Sequence, residues 1–281
     1  MNFLKKLGCA AAVTLAMAGT ANAGPVLNDW VFNPTGGGFA GGQQINEYLD
    51  VNGNAYIQTT PIGGNNFSFK EYAVFNIVQA DSNAKLFPVN YPGGNITAVF
   101  EGSGSGAFAG AFSFTGGTIR IFQNPTNNQY GTTAGIYGAD LGNEIATFNV
   151  LPGGGGNVDA SGNPISNGQV TVLAQADKGS LDAGYFFNKD GTDLSLQSVL
   201  SFAFTNANNV GAPSATLVNE LACQYAGNQQ ACDGSIPAGS FFVSNNGQFK
   251  LAEVPEPGSL ALFGIAMLGA GVISRKRAKK A

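Results

Sequence analysis

Residues 67–77 read FSFKEYAVFNI, and Phe67, Phe69, Ala73, Phe75 and Ile77 stand at positions of one parity. Alternate side chains of a β-strand point to the same face of its sheet. The spacing therefore predicts a long strand that buries one apolar face.

The same alternation recurs in short runs that are divided by Gly, Asn and Pro, at 95–101, 107–114, 118–123, 145–151 and 170–176. The most regular run is 194–204, where Leu194, Leu196, Leu200, Phe202 and Phe204 share one parity. Period two over this length predicts one strand with these five side chains in the core.

Asn-Gly pairs at 52–53 and 246–247 each separate two apolar runs, which predicts two tight hairpins. Residues 153–168 are rich in Gly and polar residues and predict a flexible loop. The best internal helix candidate is 216–225.

Many short strands without a βαβ rhythm predict an all-β fold, an antiparallel β-sandwich of jelly-roll-like form. One sandwich with a long loop is favoured over two smaller domains that divide near 153–156.

The N-terminal segment has the pattern of a secretory signal peptide. Lys5 and Lys6 precede an uncharged apolar stretch, and small residues follow at Ala21 and Ala23. This predicts a signal peptide over 1–23, cleaved after Ala23, and a β-rich extracytoplasmic domain over 24–253. An uncleaved anchor is the alternative, although the stretch is short for a bilayer.

The C-terminal segment 254–281 has three parts. A short motif is followed by the uncharged span 258–274, which as a helix would be roughly 25 Å long, against a hydrocarbon core of about 30 Å. A basic cluster ends the chain and should stay cytoplasmic, which places the body on the outer side. The motif is Val254, Pro255, Glu256 and Pro257, and the cluster includes Arg275, Lys276 and Arg277.

This order of motif, apolar span and basic cluster resembles the PEP-CTERM sorting signal of Gram-negative bacteria. The resemblance implies recognition and cleavage by an exosortase-type enzyme, an inner-membrane precursor, and a mature form at the cell surface or in the exopolysaccharide matrix. A plain C-terminal membrane anchor is the alternative.

The runs WVFNP at 30–34, INEY at 45–48 and FSFKEYAVF at 67–75 resemble the start of flocculation-associated PEP-CTERM proteins. This second resemblance implies a role in cell aggregation, flocculation and biofilm formation, and it carries no catalytic residues. The expected function is therefore non-catalytic cohesion with exopolysaccharide. The alternative is a secreted carbohydrate-binding module or glycosidase.

The charge distribution restricts the partners of the body. Only 11% of the 281 residues are charged, against about 25% in an ordinary domain. Seven of the 13 basic residues lie in the two terminal segments. Of the 17 acidic residues, only Glu256 lies there. The body is therefore acidic, which disfavours binding to nucleic acid.

Two cysteines, Cys223 and Cys232, remain after removal of the signal segment. An even count in an exported chain predicts a disulfide between them. A zinc site is disfavoured because the sequence has no histidine and no further cysteine in the body.

The absence of histidine also excludes Ser-His-Asp and Cys-His catalysis within this chain. A pair of carboxylates of the glycosidase type stays open, with Glu47, Glu71, Glu101 and Glu144 as candidates. The simpler interpretation makes all four exposed charges on strands.

No cofactor is expected, with calcium as a weak alternative. Asn188, Asp190 and Asp193 alternate around Gly191, and a similar pattern runs over 50–54, although both segments also fit ordinary turns. Trp30, the single tryptophan, could form a sugar platform, but we expect it to hold the first strand in place.

Overall fold

The computed structural model describes residues 26–82, 85–89, 91–165 and 168–254. Strands are the main elements, and within these ranges they are β1 (Trp30–Phe32), β2 (Gln43–Ile45), β3 (Tyr48–Gly63), β4 (Asn66–Ser82), β5 (Lys85–Pro88), β6 (Asn95–Ala107), β7 (Ala111–Asn124), β8 (Asn143–Val150), β9 (Gly153–Asn157), β10 (Gln169–Ala176), β11 (Phe186–Phe187), β12 (Val199–Asn209) and β13 (Ser240–Glu253).

The described helical segments are short. Ala215–Leu217 continues into a wider π-helix over Val218–Tyr225, and the two together are called α1 below. Single 3₁₀ turns occur at Phe39–Gly41, Ile136–Gly138, Leu194–Leu196 and Gln229–Ala231. The predicted helix over 216–225 is therefore confirmed.

The large sheet closes on itself. Its order is β12-β13-β3-β4-β6-β7-β8-β10, and β10 pairs again with β12 from Gln169↔Asn206 to Ala176↔Val199. The paired strands are antiparallel, which confirms the predicted all-β class. Opposite sides of the sheet face each other across one core, as the two layers of a sandwich do.

Strand β4 shows how the alternating pattern divides the molecule. Phe69 and Ala73 point inward, to the inner core that also contains Ile121, Phe148 and Leu251. Lys70 and Tyr72, at the opposite parity, point outward, as the period of a strand requires. The parity read from residues 67–77 is therefore confirmed.

The outward face of β4 is covered in part by α1. Tyr72 and Val74 pack there with Leu217 and Leu221 in an outer cluster that excludes the inner core residues. The Ser214 hydroxyl accepts a hydrogen bond from the Leu217 amide, which caps the start of α1. The sheet is thus buried on both faces where α1 lies against it.

The predicted Cys223–Cys232 disulfide is present and joins α1 to the segment that follows it. Cys223 is buried in the outer cluster. The Asn228 amide lies between the two cysteines and donates to the Tyr56 hydroxyl at 3.1 Å. The bridge therefore fixes this loop against the outer face of β3.

A second, small sheet has the order β11-β1-β2. Trp30 of β1 is fully buried, and its ring centroid lies 6.4 Å from that of Phe186 in β11. Its indole Nε1 donates to the Glu47 carbonyl at 3.4 Å. Trp30 therefore holds β1 in place and offers no exposed platform to a sugar.

Both predicted Asn-Gly hairpins are wrong, because β3 and β13 run through these residues without turning. The two pairs lie side by side, with Asn52↔Asn246 and Gly53↔Asn245 in register. A Cβ on Gly53 would lie 2.1 Å from the Val74 carbonyl oxygen and 2.5 Å from the Phe75 ring. Gly53 is therefore needed for close approach of the next strand, as glycine in a strand interior often is.

The predicted strand over 194–204 is also corrected. Residues Leu194–Leu196 form a 3₁₀ turn, because Asp193 caps it by accepting from the Ser195 amide. β12 starts at Val199, and its inward side chains are the small or polar ones, such as Ser201. Leu200, Phe202 and Phe204 instead lie on the opposite parity, outside the core.

The reason for this inversion lies across the interior. The strands that face β10 and β12 fill the inner core with phenylalanine rings, among them Phe67, Phe69, Phe100 and Phe114. Only small side chains from β12 fit against them at native packing density. Phe204 is accordingly 38% exposed on the outside.

The glycine-rich segment near 153 is a strand rather than a loop. β9 pairs with β7 through Phe112↔Gly156 and with β10 through Thr171↔Gly155. Gly155 has φ +113°, and a Cβ there would lie 2.0 Å from the Phe112 carbonyl oxygen. Residues with side chains rarely adopt this φ, so the glycines allow β9 to fit between its neighbours.

Several predictions for the chain ends lie outside the described residues. These are the signal peptide 1–23, the residues Pro255, Glu256 and Pro257, the span 258–274, and the basic cluster. No helix within the described ranges combines the length and the apolar character needed to cross a membrane.

Replacing Cys223 and Cys232 by serine should lower the free energy of unfolding by about 2–3 kcal/mol, because the bridge restricts the unfolded chain. Urea unfolding with and without a thiol reductant measures this. Reductant should lower the midpoint of the wild type toward that of the variant and leave the variant unchanged. Equal midpoints for oxidised wild type and variant would show that the bridge adds no stability.

Candidate functional site inside the closed sheet

Glu71 is the carboxyl that the closed sheet turns inward. It lies in β4 opposite Ile57 of β3 and Gly102 of β6. Its parity is that of Phe69 and Ala73, so it shares their inward face. A Cβ on Gly102 would lie 2.5 Å from the Phe100 ring, so that ring occupies the space beside Glu71 on the neighbouring strand.

Two partly open cavities reach into the interior, and Glu71 lines both of them. The space open to the centre of a water molecule is about 50 Å³ in the first and about 60 Å³ in the second. A single water needs roughly 10–15 Å³ by this measure, so each cavity exceeds the size of one water. Val170, Thr205 and Asn245 also line both cavities.

The surroundings of Glu71 are largely apolar. Phe69, Phe112 and Phe241 line the first cavity, and Phe75 and Phe249 line the second. Among the described residues that line either cavity, Glu71 is the one titratable side chain. Burial among these groups disfavours the charged form and raises the pKa of Glu71 to about 7.

Asn245 brings a second polar side chain to the same space. It lies in β13 and is 6% exposed. Within the described chain, neither its side-chain amide nor the Glu71 carboxyl has a hydrogen-bond or ion-pair partner. Glu71 is half-buried, so water or a ligand in the cavities can supply the hydrogen bonds that the described chain does not.

The four candidate carboxylates do not meet. Glu47 pairs with Lys250, and Glu144 lies 3.6 Å from Arg120. Glu101 lies on the outer face of β6, beside a groove that Lys70 also lines. The interpretation of Glu71 as an exposed strand charge is therefore wrong, whereas Glu101 and Glu144 are exposed.

The inward position of Glu71 could have been read from the sequence. The run 67–77 places a glutamate among phenylalanines of one parity, and that parity marks the buried face. Asn245 gave no such signal, because the adjoining Asn-Gly pair indicated a turn. Thr205 was missed because the parity of β12 was assigned in reverse.

The segments considered for calcium are described in full. Asp190 accepts a hydrogen bond from the Thr192 amide, and Asp193 accepts from the amides of Gly184 and Ser195. Residues 50–54 lie within β3 rather than in a loop. The described ranges contain no group of three or more acidic or cysteine side chains suited to a metal ion. Calcium binding stays a prediction.

The two junctions with the terminal segments lie together. Val26 forms a β-bridge with Ala252, and the Leu27 amide donates to the Leu251 carbonyl at 2.8 Å. Val254 follows directly after β13. The closed sheet is therefore an all-β body whose last strand continues into the C-terminal segment.

These features define an all-β protein with a C-terminal sorting signal. Residues 253–277 match the family model of the PEP-CTERM protein-sorting motif. The chain therefore carries a PEP-CTERM protein-sorting motif, which confirms the resemblance found at its C-terminus. The motif implies processing by an exosortase-type enzyme and export to the cell surface. No curated protein and no solved structure matches the chain.

Glu71→Gln should stabilise the protein at alkaline pH. The folded protein keeps the Glu71 proton up to about pH 7, whereas the ordinary pKa is 4.5. The folded form therefore binds more protons between these values, and this contribution to stability is lost as pH rises. The variant should exceed the wild type by up to about 3 kcal/mol at about pH 8, and by less at about pH 5.

Urea unfolding of both proteins across this pH range measures the difference. Glu101→Gln is the matched control, because its carboxyl lies on the outer face of the neighbouring strand. A constant difference between Glu71→Gln and wild type at all pH values would contradict the assignment of a half-buried carboxyl with a raised pKa.

Proposed function

We propose that the protein is a non-catalytic component of the cell surface or extracellular matrix that promotes cell aggregation, flocculation or biofilm cohesion. The observation that carries this proposal is the sorting motif at 253–277, which starts at the last residue of β13. A body delivered to the surface by such a motif is positioned to contact matrix polymers and other cells.

The surface chemistry of the body supports this role. Its outward positions carry many neutral polar groups, such as Asn52, Ser103 and Ser105, and few charges. Neutral polar side chains exchange hydrogen bonds with hydroxyl-rich polymers at low cost, because no charge has to be desolvated. Exopolysaccharide is accordingly the proposed partner.

The proposed route starts with an inner-membrane precursor that carries both terminal segments. The signal peptide 1–23 directs export, and the span 258–274 with its basic cluster holds the chain until cleavage near the motif. The adjacent positions of Val26 and Ala252 support this order, because both processed junctions then lie at one place on the body.

The second candidate is a secreted carbohydrate-binding module or glycosidase. The groove lined by Lys70, Glu101, Ser103 and Thr118 on the outer face favours it, because it combines charged and hydroxyl groups in one depression. Glu71 and Glu101 lie on opposite faces of the sheet, so they do not flank a common glycosidic bond. A binding module is therefore the better form of this candidate.

Deletion of 254–281 should release the protein from the cell surface and abolish aggregation, because the sorting signal is lost. Cell fractionation and a settling assay measure the two effects. The matched control is a strain with Glu144→Gln, an exposed carboxyl outside the groove, which keeps the signal and should settle normally. Normal flocculation of the deletion strain would refute the cohesion proposal.

Glycan-array binding separates the two candidates. Binding of a defined oligosaccharide that is lost in Glu101→Gln would favour the carbohydrate-binding module. Turnover of that glycan would establish a glycosidase and overturn the non-catalytic assignment.

A further inference from the structure

We propose that the interior of the closed sheet binds a small, mainly apolar molecule that carries one amine group, with the Glu71 carboxylate receiving the ammonium. This site is separate from the proposed surface function, because it lies inside the body and the cohesion proposal uses the sorting tail and the outer face.

The first argument is the lack of a partner for Glu71. An unpaired carboxylate in apolar surroundings is costly, and a folded chain normally supplies a cation or donors to it. The described chain supplies neither to Glu71, and the cavities leave space at that position. A donor to Glu71 therefore has to come from water or from a ligand in the cavities.

The second argument is Asn245, whose side chain is nine-tenths buried and faces the same space. Its amide oxygen can accept one N–H, and its amide nitrogen can donate to a ligand oxygen or to a water. A primary ammonium has three N–H groups, so it can donate to Glu71 and Asn245 together. Two convergent polar groups in an apolar pocket are typical of small-molecule sites.

The third argument concerns charge. Glu71 is the one ionisable side chain among the described residues that line the cavities. An anionic ligand would meet a carboxylate and no cation, which disfavours it. An ammonium would pair with Glu71, and the faces of Phe75 and Phe112 would also attract it.

The fourth argument concerns size. The two cavities share Glu71, Val170, Thr205 and Asn245, so the polar position lies where they meet. Apolar space extends from this position in both directions. Together the two cavities are smaller than the roughly 150 Å³ cavity that holds one benzene ring. The ligand class is therefore a small alkylamine, placed with the amine at Glu71.

Three probes of similar size test the proposal on the purified protein: propylamine, the neutral 1-propanol, and the anion butanoate. Titration calorimetry at neutral pH should show that the amine binds about tenfold or more tightly than the alcohol, since a hydrogen bond to a charged group contributes that much. The anion should not bind.

Glu71→Gln should weaken binding of the amine by about tenfold or more and leave the alcohol unchanged, because only the charged interaction is removed. Glu144→Gln, which removes an exposed carboxyl outside both cavities, should bind all three probes as the wild type does. Ala203→Phe, which places a ring in the second cavity, should weaken both the amine and the alcohol. Circular dichroism establishes that each variant is folded.

Equal affinity for amine and alcohol in the wild type would overturn the role of Glu71. Absence of amine binding to the folded wild type would overturn the site itself and leave trapped water as the partner of Glu71. Unchanged amine affinity in Glu71→Gln would place the amine elsewhere on the protein. A failure of any kind here leaves the settling assay of the deletion strain unaffected, so the two proposals are tested independently.

Discussion

The pairing of β10 with β12 is the interaction on which the interior depends. Eight consecutive residues of β10 face β12 in register, from Gln169↔Asn206 to Ala176↔Val199. Without this ladder the large sheet would have two free edges and one face open to solvent. With it, the inward residues of every strand in the ring line one interior space. The Glu71 carboxyl points into that space, away from the cationic side chains of the outer surface.

Inside the ring, large side chains of one strand pack where the neighbouring strand has small ones. The run 102–106 of β6 alternates Gly and Ser, with the glycines inward. A Cβ on Gly104 would lie 2.5 Å from the Phe69 ring, so the ring occupies the space that a side chain would otherwise fill. Large side chains thus come from β4 and β7, and small ones from residues 102–106 of β6 and from β12. The cavities around Glu71 are the places where large and small side chains do not fill the space between them completely.

The fold class and most strand faces could be predicted from the sequence, because period two persists wherever one face is buried. Ile96 and Phe100 of β6, and Ile119 and Ile121 of β7, all point to the inner core as expected. The prediction was wrong where two apolar faces compete. In β12 the larger side chains point outward. They do so because side chains of the facing strands already fill the inner core, and the sequence of β12 alone does not reveal this.

The Asn-Gly pairs were misread for a related reason. A local pattern indicates a turn, but the register of β3 with β4 and β13 needs a glycine at that point of the ladder. The position of Asn245 in the candidate site was missed for the same reason, because a residue in a hairpin turn is not expected to face a core. Local sequence cannot reveal which distant strand approaches, so these residues required the three-dimensional arrangement.

The central position of β13 has a mechanical consequence. β13 is flanked by β12 and β3, and it runs unbroken to Glu253, where the sorting motif begins. A tension applied through Val254 acts along the axis of a strand that has neighbours on both sides. Its ladder hydrogen bonds then share the load, whereas the bonds of an edge strand pulled sideways would open one after another. The end by which the protein is sorted is therefore also the end at which its body resists being pulled apart.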